Sequence, residues 1–279
     1  MKGFCPLASG SKGNALYFGS DRVKLLIDAG ISLRAVESKL GEIGVCPDEL
    51  DAILVTHEHS DHIRGLEKLA SSLSVPVFAN AETAKAILRL FKSAIRFKIF
   101  STGDPFIFRD TEIVPFSVRH DTVDPVAFTL QTGGIKIGIC TDLGFAGSLV
   151  RVHLRECDYL YLEANHEPEL VRASSRPSLY KERVLSRQGH LSNEMCADLL
   201  HSLTHPKLRH VYLAHLSEEC NRPETALKRV MHGAEKHVTF SIAHQDRVSK
   251  AIFFPGRDGN RSPLEGENHP VIGNVDPDG

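Results

Sequence analysis

The chain has 279 residues, 42% hydrophobic and 24% charged, with a formal net charge of −2. That composition is ordinary for a globular protein long enough to bury a core without disulfide staples. It excludes a protein that binds polyanions through bulk positive charge, while leaving room for a local basic patch. No apolar run in the sequence is long enough to span a membrane.

Cys5, Cys46, Cys140, Cys157, Cys196 and Cys220 are scattered singly, with no C-x-x-C pair. Such spacing suits reduced, buried thiols in a cytosolic protein. The opening Met1-Lys2-Gly3-Phe4-Cys5-Pro6 has no signal-type apolar core. The expectation is a cytoplasmic protein with no membrane association.

In chain order, the loop Ser9-Gly10-Ser11-Lys12-Gly13-Asn14 places glycines among small polar residues. Its backbone N–H groups, with Ser9, Ser11 and Asn14, suit a phosphate contact, and turns use the same residues. Residues 14–18 and 23–28 read as strands joined by a turn, and 32–40 as a helix ending at Gly41. Ala52 to Val55 is a buried strand. It delivers Thr56-His57-Glu58-His59-Ser60-Asp61-His62. His57 and His59 are two apart, so at a strand end they point the same way. Asp61 and His62 are adjacent and suit a turn. Two ligand pairs imply two metals, and polar residues of this kind are costly to bury without such partners.

Downstream, 61–73 reads as one helix with Ile63, Leu66 and Leu69 on its inner face. Residues 75–78 read as a strand and 82–91 as a helix. Residues 106–118 and 126–140 read as hairpins, the second turning at Gly133-Gly134. A helix over 149–155, a strand over 159–162, helices over 179–187 and 192–203, a strand over 209–214, a helix over 224–232 and a last strand over 238–243 complete the pattern. Two sheets faced by helices are expected. Residues 1–254 form the expected domain, and 255–279, rich in Gly, Pro and Asn, a disordered tail.

His57-x-His59-x-Asp61-His62 resembles the signature of the metallo-β-lactamase superfamily. The rest of that family's ligand positions are matched in order by His120, Asp142 and His215, each after an apolar β-type run. The resemblance covers roughly residues 3–254 and implies an α/β, four-layer αββα sandwich. It implies one metal on His57, His59 and His120, a second on Asp61, His62 and His215, and Asp142 bridging both. Longer motifs, Leu7–Asn14, Thr56–Ile63, Leu162–His166, Gly189–Glu194 and Leu213–Glu224, resemble the bacterial YycJ/WalJ/VicX subfamily. That implies a cytoplasmic nuclease acting as a 5′ exonuclease on DNA. The interval from Asp142 to His215 leaves no room for the extra domain of the β-CASP nucleases. There is also no long Gly/Pro-rich arm like that of tRNA 3′-processing enzymes.

Mixed imidazole and carboxylate ligands suit zinc or manganese, with iron also compatible. Two divalent ions make a bridging hydroxide available as nucleophile, with Asp61 counted among the catalytic groups. In the phosphodiesterase branch of the family, a Glu and a His matching Glu163 and His190 form a proton-shuttle pair. Ser192 also reads as a helix N-cap. The stretch holding Arg172, Arg176, Lys181, Arg183 and Arg187 against Glu182 suits a polyanion, with Lys181 and Arg183 as contacts, or a solvated helix face. Of the other histidines, His153, His201, His205, His210, His232, His237 and His269 are set aside, while His166 and His244 follow strands and read as supporting or surface residues. The alternatives are a small-molecule phosphodiesterase, including one for cyclic phosphates, a thioester hydrolase of the glyoxalase II type, and a metal-binding regulator without turnover. A homodimer is one expectation for the oligomeric state, which the sequence leaves open.

Overall fold

The structure, a computed structural model, describes residues 1–91 and 95–255. The first half of the chain builds β1 (Gly3–Ala8), β2 (Ala15–Gly19), β3 (Lys24–Ile27), α1 (Leu33–Glu42), β4 (Ala52–Leu54), α2 (Ser60–Ile63), α3 (Leu66–Leu73), β5 (Val77–Asn80), α4 (Ala81–Leu90) and β6 (Phe97–Phe100). The second builds β7 (Phe106–Phe108), β8 (Thr111–Ser117), β9 (Val126–Thr132), β10 (Ile135–Cys140), α5 (Ser148–Leu154), β11 (Tyr159–Glu163), α6 (Pro168–Ala173), α7 (Ser178–Leu185), α8 (Asn193–Leu203), β12 (His210–Ala214), α9 (Pro223–Met231), β13 (Thr239–Ile242) and β14 (Ile252–Phe253).

The strands form two seven-stranded sheets, ordered β14-β1-β2-β3-β4-β5-β6 and β13-β12-β11-β10-β9-β8-β7. In each, antiparallel hairpins meet parallel crossovers: β3 to β6 run parallel in one, and β10 to β13 in the other. Strand period decides which layer each residue joins. Leu25 and Ile27 of β3 face the other sheet, while Leu26 faces the helices. Tyr159 and Tyr161 of β11 face the other sheet, while Leu160 and Leu162 pack under α8 residues such as Cys196 and Leu199. Because both faces are covered, these strands are apolar throughout rather than alternating. The result is helix, sheet, sheet, helix, the α/β sandwich expected.

Most predicted elements are present within a few residues. The hairpin turn at Gly133-Gly134 has φ of 54° and 81°, the positive pair that a tight two-residue turn requires. The helix expected over 61–73 is broken in two. Gly65 N–H donates to Ala29 O at 2.8 Å. A Cβ on Gly65 would stand 1.9 Å from Ile31 O, so the chain must pass here without a side chain. Among the strands and α-helices, four escape the sequence patterns: β1, which contains Gly3 and Pro6, the short edge strands β6 and β14, and α6. β13 is therefore not the last strand, since β14 returns to pair with β1. Five cysteines are buried, as expected, but Cys46 is exposed. No helix among the described residues is long and apolar enough to cross a membrane. Beyond Pro255, the tail expected over 255–279 lies outside the described residues, as does His269.

Candidate metal centre

The site lies at the carboxyl ends of the strands, where an α/β sheet leaves a crevice. β3 ends at Asp28, β4 runs into 56–62, β8 into His120, β10 into Asp142, β11 ends on Glu163 and β12 is followed by His215. His57 and His59 lie past the end of β4, in the loop that starts α2, rather than on the strand itself. Six described non-glycine residues have a left-handed φ, and three are here: Asp28 at 61°, Asp142 at 58° and His215 at 54°. Each such residue costs about 1–3 kcal/mol, a cost the surrounding packing sustains to aim these side chains inward.

Ligand-type atoms of His57, His59 and His120 lie within 4.8 Å of one another, as do those of Asp61, His62 and His215, and those of His57, His62 and Asp142. Asp142 stands between the groups. Its Oδ2 is 3.3 Å from His62 Nε2, and its Oδ1 is 3.4 Å from His215 Nδ1 and 3.9 Å from His120 Nε2. Every metal-ligand position read from the sequence is thus brought into one cluster.

Except in His59, whose Nδ1 lies 3.3 Å from His120 Nε2, the Nδ1 atoms are taken up by residues around the cluster. His57 Nδ1 meets Thr56 Oγ1 at 2.9 Å, and His62 Nδ1 meets Asp28 Oδ2 at 2.8 Å. His120 Nδ1 donates to Gly189 O at 3.0 Å, and His215 Nδ1 meets Glu163 Oε1 at 2.8 Å. Four rings are therefore held with Nε2 facing the centre, the arrangement in which outer partners orient metal ligands. His57 Nε2, Asp142 Oδ2 and His215 Nε2 are buried there without a hydrogen-bond partner. Buried polar atoms rarely stay unpaired, and a divalent cation is the partner that imidazole and carboxylate donors fit.

The electrostatics also suit cations. Burial works against a charged His215, but Asp142, Asp61 and Glu163 outweigh it and push the ring up to about 10. Burial likewise opposes charge on His62, and Asp142 and Asp28 hold it well above its usual value. Burial favours a neutral Asp142, yet His215 and His62 keep it well below the usual carboxylate range. Burial and the neighbouring His62 keep His57 well below the ordinary imidazole value.

Glu163 is fully buried and fully used. Its Oε1 meets His190 Nδ1 and His215 Nδ1, each at 2.8 Å, and its Oε2 accepts from Leu143 N and Leu191 N, each at 3.0 Å. Burial would raise its pKa, but the His190 charge and the bonds to His190 and His215 hold it at about 2. The sequence pairs Glu163 with His190 alone, whereas the carboxylate also orients His215. Ser192 caps α8 through Met195 N at 3.2 Å, so the cap and the His190–Glu163 pair coexist.

The N-terminal loop adds contacts to the centre. Ser9 is buried, and its Oγ accepts from Tyr161 Oη at 2.7 Å and from His215 N at 2.8 Å. Asn14 is buried, with Nδ2 3.0 Å from His62 Nε2 and 3.3 Å from Asp61 Oδ2. Both face the donor cluster and brace it. Only Ser11 of the three is exposed. Lys181 Nζ donates to Arg172 O at 2.8 Å and has no carboxylate partner among the described residues, whereas Arg183 pairs with Asp121 next to His120. His210, one of the histidines set aside, is a buried strand residue bound to Thr239. His166 is also buried. Asp28 and Thr56 are the residues that sequence reasoning missed. The available signal was an acidic residue directly after the buried run of β3.

A Beta-lactamase superfamily domain model matches residues 24–216. The chain is 38% identical over 225 residues to Exodeoxyribonuclease YycJ of Bacillus anthracis, covering 80% of this chain and 85% of that protein. It is equally identical to Exodeoxyribonuclease WalJ of Streptococcus pneumoniae, covering 79% and 83%. Among solved structures, the metallo-β-lactamase fold protein YhfI of Bacillus subtilis superposes with a TM-score of 0.68 at 17% identity, covering 89% of this chain and 99% of that one. On this fold, this donor cluster and these relatives, the chain belongs to the metallo-β-lactamase superfamily and groups within it with the YycJ and WalJ proteins.

Proposed function

We propose that the chain is a two-metal phosphodiesterase whose substrate is DNA, shortened stepwise from the 5′ end. The observation that carries this reading is the His190–Glu163 pair set against the doubled donor cluster, with His190 Nδ1 3.8 Å from Asp142 Oδ1. DNA as substrate is supported by the exodeoxyribonuclease relatives. In this reading His57, His59 and His120 hold one ion, Asp61, His62 and His215 hold the other, and Asp142 serves both. Zinc or manganese suits these donors, and iron is compatible. Bound there, the ions supply Lewis acidity and hydroxide at neutral pH. Glu163 fixes Nδ1 of His190, which leaves Nε2 to pass a proton to the departing oxygen. The His190 side chain is 16% exposed, enough to reach a substrate from the rim of the site. Residues 1–254 form the catalytic unit, placed in the cytoplasm.

The test is a nuclease assay of metal-loaded protein on 5′-labelled and 3′-labelled duplex DNA, with bis(p-nitrophenyl) phosphate alongside and Asp61→Ala as control. Stepwise loss from the 5′ end, absent in the control, is expected. Cleavage of the small ester with DNA intact would move the reading to a small-molecule phosphodiesterase.

Two further outcomes follow from the histidine partners. Asp28→Ala frees Nδ1 of His62 and is expected to lower metal affinity about 10–100-fold. Competition with a chromophoric chelator measures this, and an unchanged affinity would remove Asp28 from the support of the centre. Metal uptake is also expected to release protons. His215, raised to about 10 from 6.5, is protonated at neutral pH without metal, and a ligand must shed that proton. Its raised value stabilises the metal-free fold fully below 6.5, and this contribution is lost as pH rises through about 10. Apparent metal affinity therefore rises with pH over that window. Calorimetric titrations in buffers of different ionisation enthalpy give the proton count, and heats independent of buffer would contradict it.

A further inference from the structure

We infer that the cleft beside the metal centre, walled by Arg119, Phe145 and Leu149 and flanked by Arg187, is a nucleotide subsite in which Phe145 stacks a base and the arginines meet phosphate. The cleft has a volume of about 340 Å³, in the range of small-ligand sites. Its walls come from the end of β8, the loops that lead to His120 and from Asp142, and the start of α5. Arg119 precedes His120, and Phe145 follows Asp142 by three residues. Gly144 N donates to Arg119 O at 2.9 Å. A Cβ on Gly144 would stand 2.5 Å from Arg187 C and 2.6 Å from Gly189 N. The carbonyl of Gly189 in turn holds His120. The loops bearing His120, Asp142 and His190 are thus packed against one another at the cleft wall.

The lining is chemically selective. Phe145 is only partly buried, and the Arg187 guanidinium lies 3.9 Å from its ring centroid. A cation over a ring is a common surface contact by itself. Here the ring also lines an open cleft, and Arg119 and Arg187 are exposed with no acidic partner among the described residues. By contrast, Arg176 and Arg183 are paired with Glu219 and Asp121. An aromatic face with unpaired arginines beside it is the pattern that binds single-stranded nucleic acid, by stacking and by charge. It also reassigns the polyanion contact, from Lys181 and Arg183 to Arg119 and Arg187.

This subsite rests on the DNA reading above, and its test separates the two. Binding of fluorescent single-stranded oligonucleotides to the metal-free protein is followed by anisotropy, with one abasic residue walked through the terminal nucleotides. In the unmodified protein, one abasic position is expected to weaken binding about tenfold, the scale of one base–aromatic stack. Phe145→Leu should lose the same factor on the intact strand and nothing more on that abasic strand, while Phe145→Tyr restores the difference. Arg187→Ala should weaken binding to every strand and reduce the slope of log affinity against log salt by about one. An abasic penalty that persists undiminished in Phe145→Leu, or no penalty at any position, overturns the subsite. Binding with the expected coupling but no cleavage by metal-loaded protein supports the subsite and removes the nuclease reading. Cleavage without the coupling removes the subsite alone.

Discussion

Asp142→Ala is expected to abolish hydrolysis and to lower the bound metal. The carboxylate stands between His62, His120 and His215 at 3.3–3.9 Å, and Oδ2 has no hydrogen-bond partner. Its removal opens both donor groups at once. It also leaves His62 and His215 without the negative charge that most opposes their burial. The loss should exceed the ~10²–10³-fold that removal of one preorganised electrostatic group costs. Elemental analysis of purified protein against turnover is the measurement. Asp61→Ala, which removes one donor from a single group, should spare part of the metal where Asp142→Ala spares less. Full metal in both variants would end the ligand assignment.

His190→Ala is expected to slow turnover about 10²–10⁴-fold, the usual scale for a lost general acid, with metal content unchanged. The side chain reaches Glu163 and approaches Asp142 but is not needed to complete either metal group. The deficit should shrink on substrates with acidic leaving groups, since these depart without a proton. An equal deficit on p-nitrophenyl and alkyl esters would argue against proton donation. Glu163→Ala should differ from His190→Ala in a diagnostic way. Because Glu163 orients His215 as well as His190, its loss should lower both the proton-donor contribution and metal retention.

The ligands were legible in the sequence because each follows an apolar run. A buried strand must end somewhere polar, and histidines or aspartates placed there have few uses other than a shared centre. Two sheets faced by helices were legible because strands alternate with helices in both halves, whereas the layer each residue joins was not, since β3, β11 and β12 are apolar on both faces. The short strands β6 and β14 were not legible, because two to four residues on a sheet edge leave too little pattern. The break between α2 and α3 was hidden as well. The 3.6-residue period runs through 61–73, and only the packing of Gly65 on Ala29 and Ile31 interrupts it.

By itself, the sequence determined the composition class, the two-sheet order of elements and the chain order of His57, His59, Asp61, His62, His120, Asp142 and His215. These depend on local pattern and on strand ends, both of which are written along the chain. The tertiary structure decided the partners: Asp28 on His62, Glu163 on both His190 and His215, Ser9 and Asn14 turned inward, and Arg183 drawn to Asp121. Most of these contacts join residues far apart in sequence. Their geometry follows from how the strands register and how the loops pack, so no local pattern could encode it.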